Sequence, residues 1–282
     1  MIRRDYTIVD VFTDAPLEGN ALAVFADGAG LSGELMQRVA RELHLSETVF
    51  VLPAQGEADA AVRIFTPAAE LPFAGHPVLG TAFALAARSG ARDVTLQTGA
   101  GPVAVELRWQ GDEVVFGEMD QPLPTIEAFG RPDQVLAALG VERSELPIEA
   151  YRNGPTHVFV ALADERAVAV LRPNLAALGD AGDQLAISCF AGGSGRFKTR
   201  MFAPALGVPE DPATGSAAGP LALHVVQHGR ARYGEQLEIH QGAEVGRPST
   251  LYARVEGGPT RVDRLLVGGS AVIVATGEYR LE

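Results

Sequence analysis

Arg63-Ile64-Phe65-Thr66-Pro67-Ala68, running on through Leu71-Pro72-Phe73-Ala74-Gly75-His76-Pro77, is the stretch that decides the fold. It recurs as Arg200-Met201-Phe202-Ala203-Pro204-Ala205, four of six positions being identical at an offset of 137. Leu71-Pro72 and Val208-Pro209 keep that offset, whereas Gly75-His76 and Gly215-Ser216 stand 140 apart, so a short insertion separates the copies. In each copy a strand-like run leads through a loop into a helix that is apolar on every face, over residues 77–87 and 216–226. Such helices must be enclosed on all sides. Similarity across strand, loop and helix together points to internal duplication, with chance likeness of two strand–loop–helix units as the alternative.

Outward from these copies the chain alternates short β-like runs with a few helices. Residues 6–12, 21–25, 48–52, 60–65, 94–98, 103–109 and 113–116 are β-branched or alternating and predict strands. Residues 31–43 space Leu35, Met36, Val39, Ala40 and Leu43 as an amphipathic helix, with Ser32 as its N-cap. Gln121-Pro122-Leu123-Pro124 breaks the periodicity and reads as a linker. The chain therefore divides at 1–120 and 121–282, with a final strand near 270–282 that returns to the first domain. The class is mixed α/β (α+β).

Lys plus Arg total 23 and Asp plus Glu 35, a net charge of −12. Such a balance repels phosphate backbones, so no nucleic-acid partner is expected, and it favours solubility. Hydrophobic residues at 47% and charged residues at 21% allow a sizeable core. The single cysteine, Cys189, excludes an intramolecular disulfide and a cysteine-based zinc site. Asp10, Thr13 and Asp14 interrupt the stretch behind Arg3 and Arg4, against a signal peptide. No apolar run reaches the ~20 residues needed to cross a bilayer. A cytoplasmic protein without a membrane partner is expected.

Three segments carry chemistry. In Leu45-Ser46-Glu47-Thr48, Glu47 stands between a helix and a strongly apolar strand. Such surroundings raise a carboxyl pKa and suit proton transfer, although acids also stand at element ends as simple caps. In Phe73-Ala74-Gly75-His76-Pro77, small residues and a helix start offer backbone N–H groups to an anion, and His76 adds a hydrogen bond or a proton; a lone histidine is equally a structural residue. Glu210-Asp211-Pro212-Ala213-Thr214-Gly215-Ser216-Ala217 repeats the design, unless Asp211 and Thr214 are helix caps.

Sharper motifs fail on spacing. Gly215-Ser216-Ala217-Ala218-Gly219 is not G-x-S-x-G, and no phosphate-binding glycine loop joins a strand to a helix. His224 and His228 stand at i, i+4, but no Glu follows the first as in HExxH, and they read as surface residues. No metal is expected.

These segments together resemble the signature stretches of the PhzF-like family of phenazine biosynthesis. Asp10-Val11-Phe12 and Gly19-Asn20-Ala21-Leu22-Ala23-Val24-Phe25 are similar to its N-terminus, and Asn153-Gly154-Pro155-Thr156-His157-Val158 to the opening of its second half. The resemblance covers almost the whole chain. It implies a fold like diaminopimelate epimerase: two pseudo-symmetric domains, each a curved, mostly antiparallel sheet wrapped around a central apolar helix. It further implies a homodimer and isomerisation of trans-2,3-dihydro-3-hydroxyanthranilate by moving a proton between ring carbons. By resemblance Glu47 is the general acid/base, with His76 and Asp211 beside it in proton handling. Gly75, Gly215, Ser216, Asn20 and Thr214 would bind substrate. Epimerases of that fold use a cysteine from each half; here the loops carry Gly75-His76 and Gly215-Ser216, and Cys189 lies outside both, so two-thiol chemistry is closed to this chain.

The leading expectation is a cofactor-free isomerase acting on a small carboxylate held at helix N-termini. The alternatives are an amino-acid epimerase or double-bond isomerase outside phenazine metabolism, and a non-catalytic small-molecule binding protein.

Overall fold

The computed structural model describes residues 2–54, 56–182 and 185–281; Glu282, at the end of the expected final strand, lies outside them. By contacts the chain forms two compact units, Met1–Asp120 with Gly268–Glu282, and Gln121–Val267.

The first unit runs β1 (Ile2–Val11), β2 (Asn20–Phe25), α1 (Gly33–Leu43), β3 (Glu47–Leu52), β4 (Ala60–Phe65), β5 (Glu70–Leu71), α2 (Gly75–Ser89), β6 (Asp93–Thr98), β7 (Gly101–Gln110) and β8 (Glu113–Gln121). The second runs β9 (Thr125–Ala128), α3 (Pro132–Leu139), β10 (Glu149–Arg152), β11 (Thr156–Ala161), α4 (Glu165–Ala169), α5 (Leu175–Asp180), β12 (Leu185–Gly193), β13 (Arg196–Ala203), β14 (Val208–Asp211), α6 (Gly215–Gln227), β15 (Leu237–Gln241), β16 (Ser249–Gly258) and β17 (Arg261–Gly269). The last strand, β18 (Ala271–Leu281), pairs antiparallel with β1 along its whole length.

The duplication is visible in the ladders. In the first unit β1–β2 is antiparallel, β2–β3 parallel, β3–β4 antiparallel, β4–β6 parallel and β6–β7 antiparallel. In the second, β10–β11, β11–β12, β12–β13, β13–β15 and β15–β16 repeat that series of directions. The short strands β5 and β14 each add antiparallel to β4 and β13. One sequence alignment needs correction. Leu71 pairs with Ile64, and Asp211 pairs with Met201, the residue 137 beyond Ile64. Leu71 therefore corresponds to Asp211 and not to Val208: the three extra residues precede Glu210, in the turn after Pro204.

Each unit encloses one apolar helix. From Gly75 to Ala84, α2 is buried throughout, and it packs on β1, β2, β3, β6 and β7. Gly80 permits that approach, since a Cβ there would lie 2.7 Å from both Leu22 and Val11 side-chain atoms. In the second unit α6 is buried from Gly215 to Val226 and packs on β16 and β11. By contrast α1 is amphipathic: Ser32 accepts from Leu35 N–H at its start, and Met36, Val39 and Ala40 face the core. No helix among the described residues is long and apolar enough to cross a membrane.

Candidate active site

In the first unit the structure brings Glu47, His76 and Asn20 together. Glu47 opens β3 with its side chain only 13% exposed, because Thr48 to Val51 behind it are buried strand. His76 occupies the first turn of α2 and is buried. Its Nε2 lies 3.3 Å from Glu47 Oε2, and its Nδ1 lies 3.3 Å from Asn20 Nδ2. The Asn20 amide donates to Nδ1, which leaves the ring proton on Nε2, facing the carboxylate. Burial pushes the His76 pKa down to about 3, so the imidazole is neutral at physiological pH. Glu47 thus lies beside a neutral imidazole instead of a cation. Gly75 opens the helix, whose N-cap, Ala74, contributes no side-chain hydrogen bond to the first turn.

In the second unit Asp211, Thr214, Gly215 and Ser216 form a different arrangement. Thr214 stands at the N-cap of α6 but makes no capping bond. Its hydroxyl instead donates to Asp211 Oδ2 at 2.6 Å. Gln241 locks the turn, donating to Asp211 O at 2.7 Å and Thr214 Oγ1 at 2.9 Å while accepting from Thr214 N–H. The cap reading of Asp211 and Thr214 therefore gives way to a polar cluster in which each side chain orients the next.

Ser216 Oγ lies 3.1 Å from His157 Nε2. Burial holds His157 at a pKa of about 3, and its Nδ1 has no partner among the described residues. An unpaired lone pair is cheaper to bury than an unpaired N–H, which puts the proton on Nε2. His157 then donates to Ser216 Oγ, and the serine hydroxyl keeps its own proton for another acceptor.

Pro220, inside α6, has no N–H for the Ser216 carbonyl one turn back. Asn153 Nδ2 supplies that bond at 3.0 Å. Gln121 donates to Gly215 O at 2.7 Å, and Gly219 leaves room for it: a Cβ there would lie 2.5 Å from Gln121 Oε1. Gln121 is thus the buried last residue of β8 and not part of a linker, which is left to Pro122-Leu123-Pro124. The sequence placed Asn153 and His157 only within a resembling segment and Gln121 only in a linker, and Gln241 nowhere. Pro220 inside a helix was the one signal that an outside amide had to be found.

The surface reading of His224 and His228 is also corrected. His224 is fully buried, because α6 is enclosed to its last turn; only His228, at the C-cap, reaches solvent. Cys189 is buried in β12, where burial raises its thiol to about 12, so it is a packed, un-ionised side chain.

The family model described as phenazine biosynthesis-like protein matches residues 9–277. A trans-2,3-dihydro-3-hydroxyanthranilate isomerase from Pseudomonas aeruginosa is 53% identical over 276 residues, 98% of this chain and 99% of the relative. Among solved structures, a phenazine biosynthesis protein of the PhzF family from Bacillus anthracis is 25% identical with a TM-score of 0.84, covering 100% of each chain. A hydroxyproline epimerase from Agrobacterium vitis, at 14% identity and a TM-score of 0.70 over 98% of this chain and 91% of that one, shares the fold.

Proposed function

The chain belongs to the phenazine biosynthesis-like family, and on that premise we propose that it is an isomerase that moves a proton on a small carboxylate, with trans-2,3-dihydro-3-hydroxyanthranilate as the substrate to test first. The observation that carries the chemistry is Glu47, mostly buried, 3.3 Å from a neutral His76. As carboxylate, Glu47 takes a proton from an activated ring carbon; as carboxylic acid, it returns that proton to another carbon of the same π system. No atoms or electrons are exchanged with a third party. General acid/base catalysis of this kind is worth about 10²–10⁴-fold. Asn20 holds the His76 tautomer whose Nε2–H faces the carboxylate across 3.3 Å.

Asp211 is proposed to handle the substrate's exchangeable protons, with its Thr214 bond holding the carboxylate in place. Gly75, Gly215 and Ser216 are proposed to offer N–H and hydroxyl donors to the acid group, and Asn20 and Thr214 to complete the binding set. A homodimer working in the cytoplasm without a cofactor belongs to the same reading; sedimentation and turnover by dialysed enzyme test it.

The decisive experiment incubates the dihydro-hydroxyanthranilate in deuterated water with wild type and with Glu47→Gln. Wild type should form product and incorporate deuterium, and the variant should do neither at a comparable rate. Equal incorporation by both removes Glu47 from the mechanism. The epimerase alternative predicts loss of optical rotation from a chiral amino acid. A binding protein predicts ligand affinity indifferent to Glu47→Gln and no exchange.

A further inference from the structure

At the far end of α6, about 12 Å along the helix from Ser216 at 1.5 Å per residue, a second cluster stands apart from the proposed catalytic residues. His228 Nε2 lies 2.8 Å from Glu149 Oε2, and His224 Nδ1 lies 3.3 Å from the same oxygen. The Tyr151 hydroxyl lies 3.1 Å from Glu149 Oε2 and 3.0 Å from His224 Nδ1. One ligand atom from each of Glu149, His224 and His228 falls within 4.8 Å of the others.

We propose that Glu149, His224 and His228 form a binding site for a borderline divalent transition-metal ion, Zn²⁺ foremost, which ties the last turn of α6 to β10. The donor set of two imidazoles and a carboxylate is one that Zn²⁺ takes, leaving a fourth position for water. Ligand atoms around a tetrahedral ion with bonds of ~2.0–2.1 Å stand about 3.3 Å apart. The His224–Glu149 separation already has that value, and the His228–Glu149 contact has to open by roughly half an ångström.

The surroundings favour a cation. The site lies at the C-terminal end of α6, the negative end of the helix dipole. The buried His224 ring is fixed by Phe159 stacked at 5.6 Å and Phe190 edge-on at 5.7 Å, so Nδ1 is aimed before any ion arrives; ligation there moves the ring proton to Nε2, which has no partner among the described residues. The Tyr151 hydroxyl reaches the same Glu149 oxygen at 3.1 Å and His224 Nδ1 at 3.0 Å, and it has to swing aside when the ion takes those atoms. Glu149 and His228 are each about a quarter exposed, which gives an ion a path in from solvent. The helix supplies the i, i+4 pair that the sequence shows; only the β10–β11 hairpin, folded beside the helix, supplies the carboxylate.

The test uses untagged full-length protein stripped with a chelator and dialysed. Co²⁺ titration should give tetrahedral visible bands that saturate at one ion per chain and are displaced by Zn²⁺. Glu149→Gln and His228→Ala should weaken uptake by tenfold or more. His240→Ala, on β15, whose histidine pairs with Glu238, should leave it unchanged. Zn²⁺ should also raise the thermal midpoint of wild type, reversibly with chelator, and not that of His228→Ala. No saturable uptake by wild type, or equal uptake by wild type, Glu149→Gln and His228→Ala, overturns the proposal and leaves the cluster a hydrogen-bond network.

Discussion

The two units share a ladder but not a chemistry. Thr48 pairs with Phe65, and Ile187 with Phe202, so Glu47 at the head of β3 corresponds to Ala186 in β12. Asp211 corresponds to Leu71, and His157 to Leu22, since His157 pairs with Ala186 as Leu22 pairs with Glu47. Each unit has therefore placed an acid where the other has an apolar residue. Their shared Arg–Glu pair differs in depth and in what else the arginine meets. Arg63 meets Glu70 bidentately at 2.7 and 2.6 Å with side chains 33% and 42% exposed; Arg200 meets Glu210 at 2.8 and 2.7 Å with 5% and 15%. Backbone pairing repeats because hydrogen bonds between strands ignore side-chain identity. The polar groups diverge because each is answerable only to its own neighbours.

Breaking the comparison at the acids gives the largest effect. Glu47→Gln should lower turnover by about 10²–10⁴-fold, while Ala186→Glu should not create activity in that background, because β12 has no Asn20–His76 pair facing it. Steady-state kinetics with the dihydro-hydroxyanthranilate reads both.

The Arg–Glu pairs come next. Arg200→Ala strands a mostly buried Glu210 and also loses bonds to the Val168, Ala169 and Leu171 carbonyls, so urea unfolding should show a loss of about 3–5 kcal/mol. Arg63→Ala, at a half-exposed pair, should cost at most about 1 kcal/mol. Equal costs would mean that burial does not distinguish the two units.

A smaller effect tests the proline that only α6 carries in its interior. Asn153→Ala should cost about 1–3 kcal/mol by orphaning the Ser216 carbonyl. With Pro220→Ala the helix regains its own N–H, so the same Asn153→Ala change should cost less there; additive losses in the double-mutant cycle would refute the pairing.

The last test is of pH dependence. His76 and His157, one in each unit, are both held near 3 against about 6.5 unfolded. In that interval the unfolded chain binds protons that the native one refuses. Stability is therefore whole above pH ~6.5 and declines on acidification toward 3, by about 1.4 kcal/mol per pH unit for each histidine. Chemical unfolding at stepped pH should show a slope reduced by one such increment in His157→Asn.

Much of the fold was legible along the chain. The repeat at Arg63 and Arg200 found two equivalent strands, and Ser32 found its helix, since both rest on local pattern. The insertion was misplaced beside Leu71-Pro72 because matching residue types cannot outweigh a register that only ladder pairing reveals. Glu47, His76 and Asp211 stood out as polar residues against apolar runs. Asn153, His157, Gln121 and Gln241 did not, because each acts on a partner 27 to 94 residues away.

From the sequence alone came the duplicated strand–loop–helix plan, the two wholly apolar helices and the family to which the chain belongs, because periodicity and motif are properties of neighbours along the chain. Only the folded structure decided which atoms meet: that a neutral His76 lies beside Glu47, that Thr214 bonds Asp211 instead of capping its helix, and that Glu149 completes a histidine pair. Protonation state and partnership depend on burial and on distances of about 3 Å, and those exist only once distant segments are brought side by side.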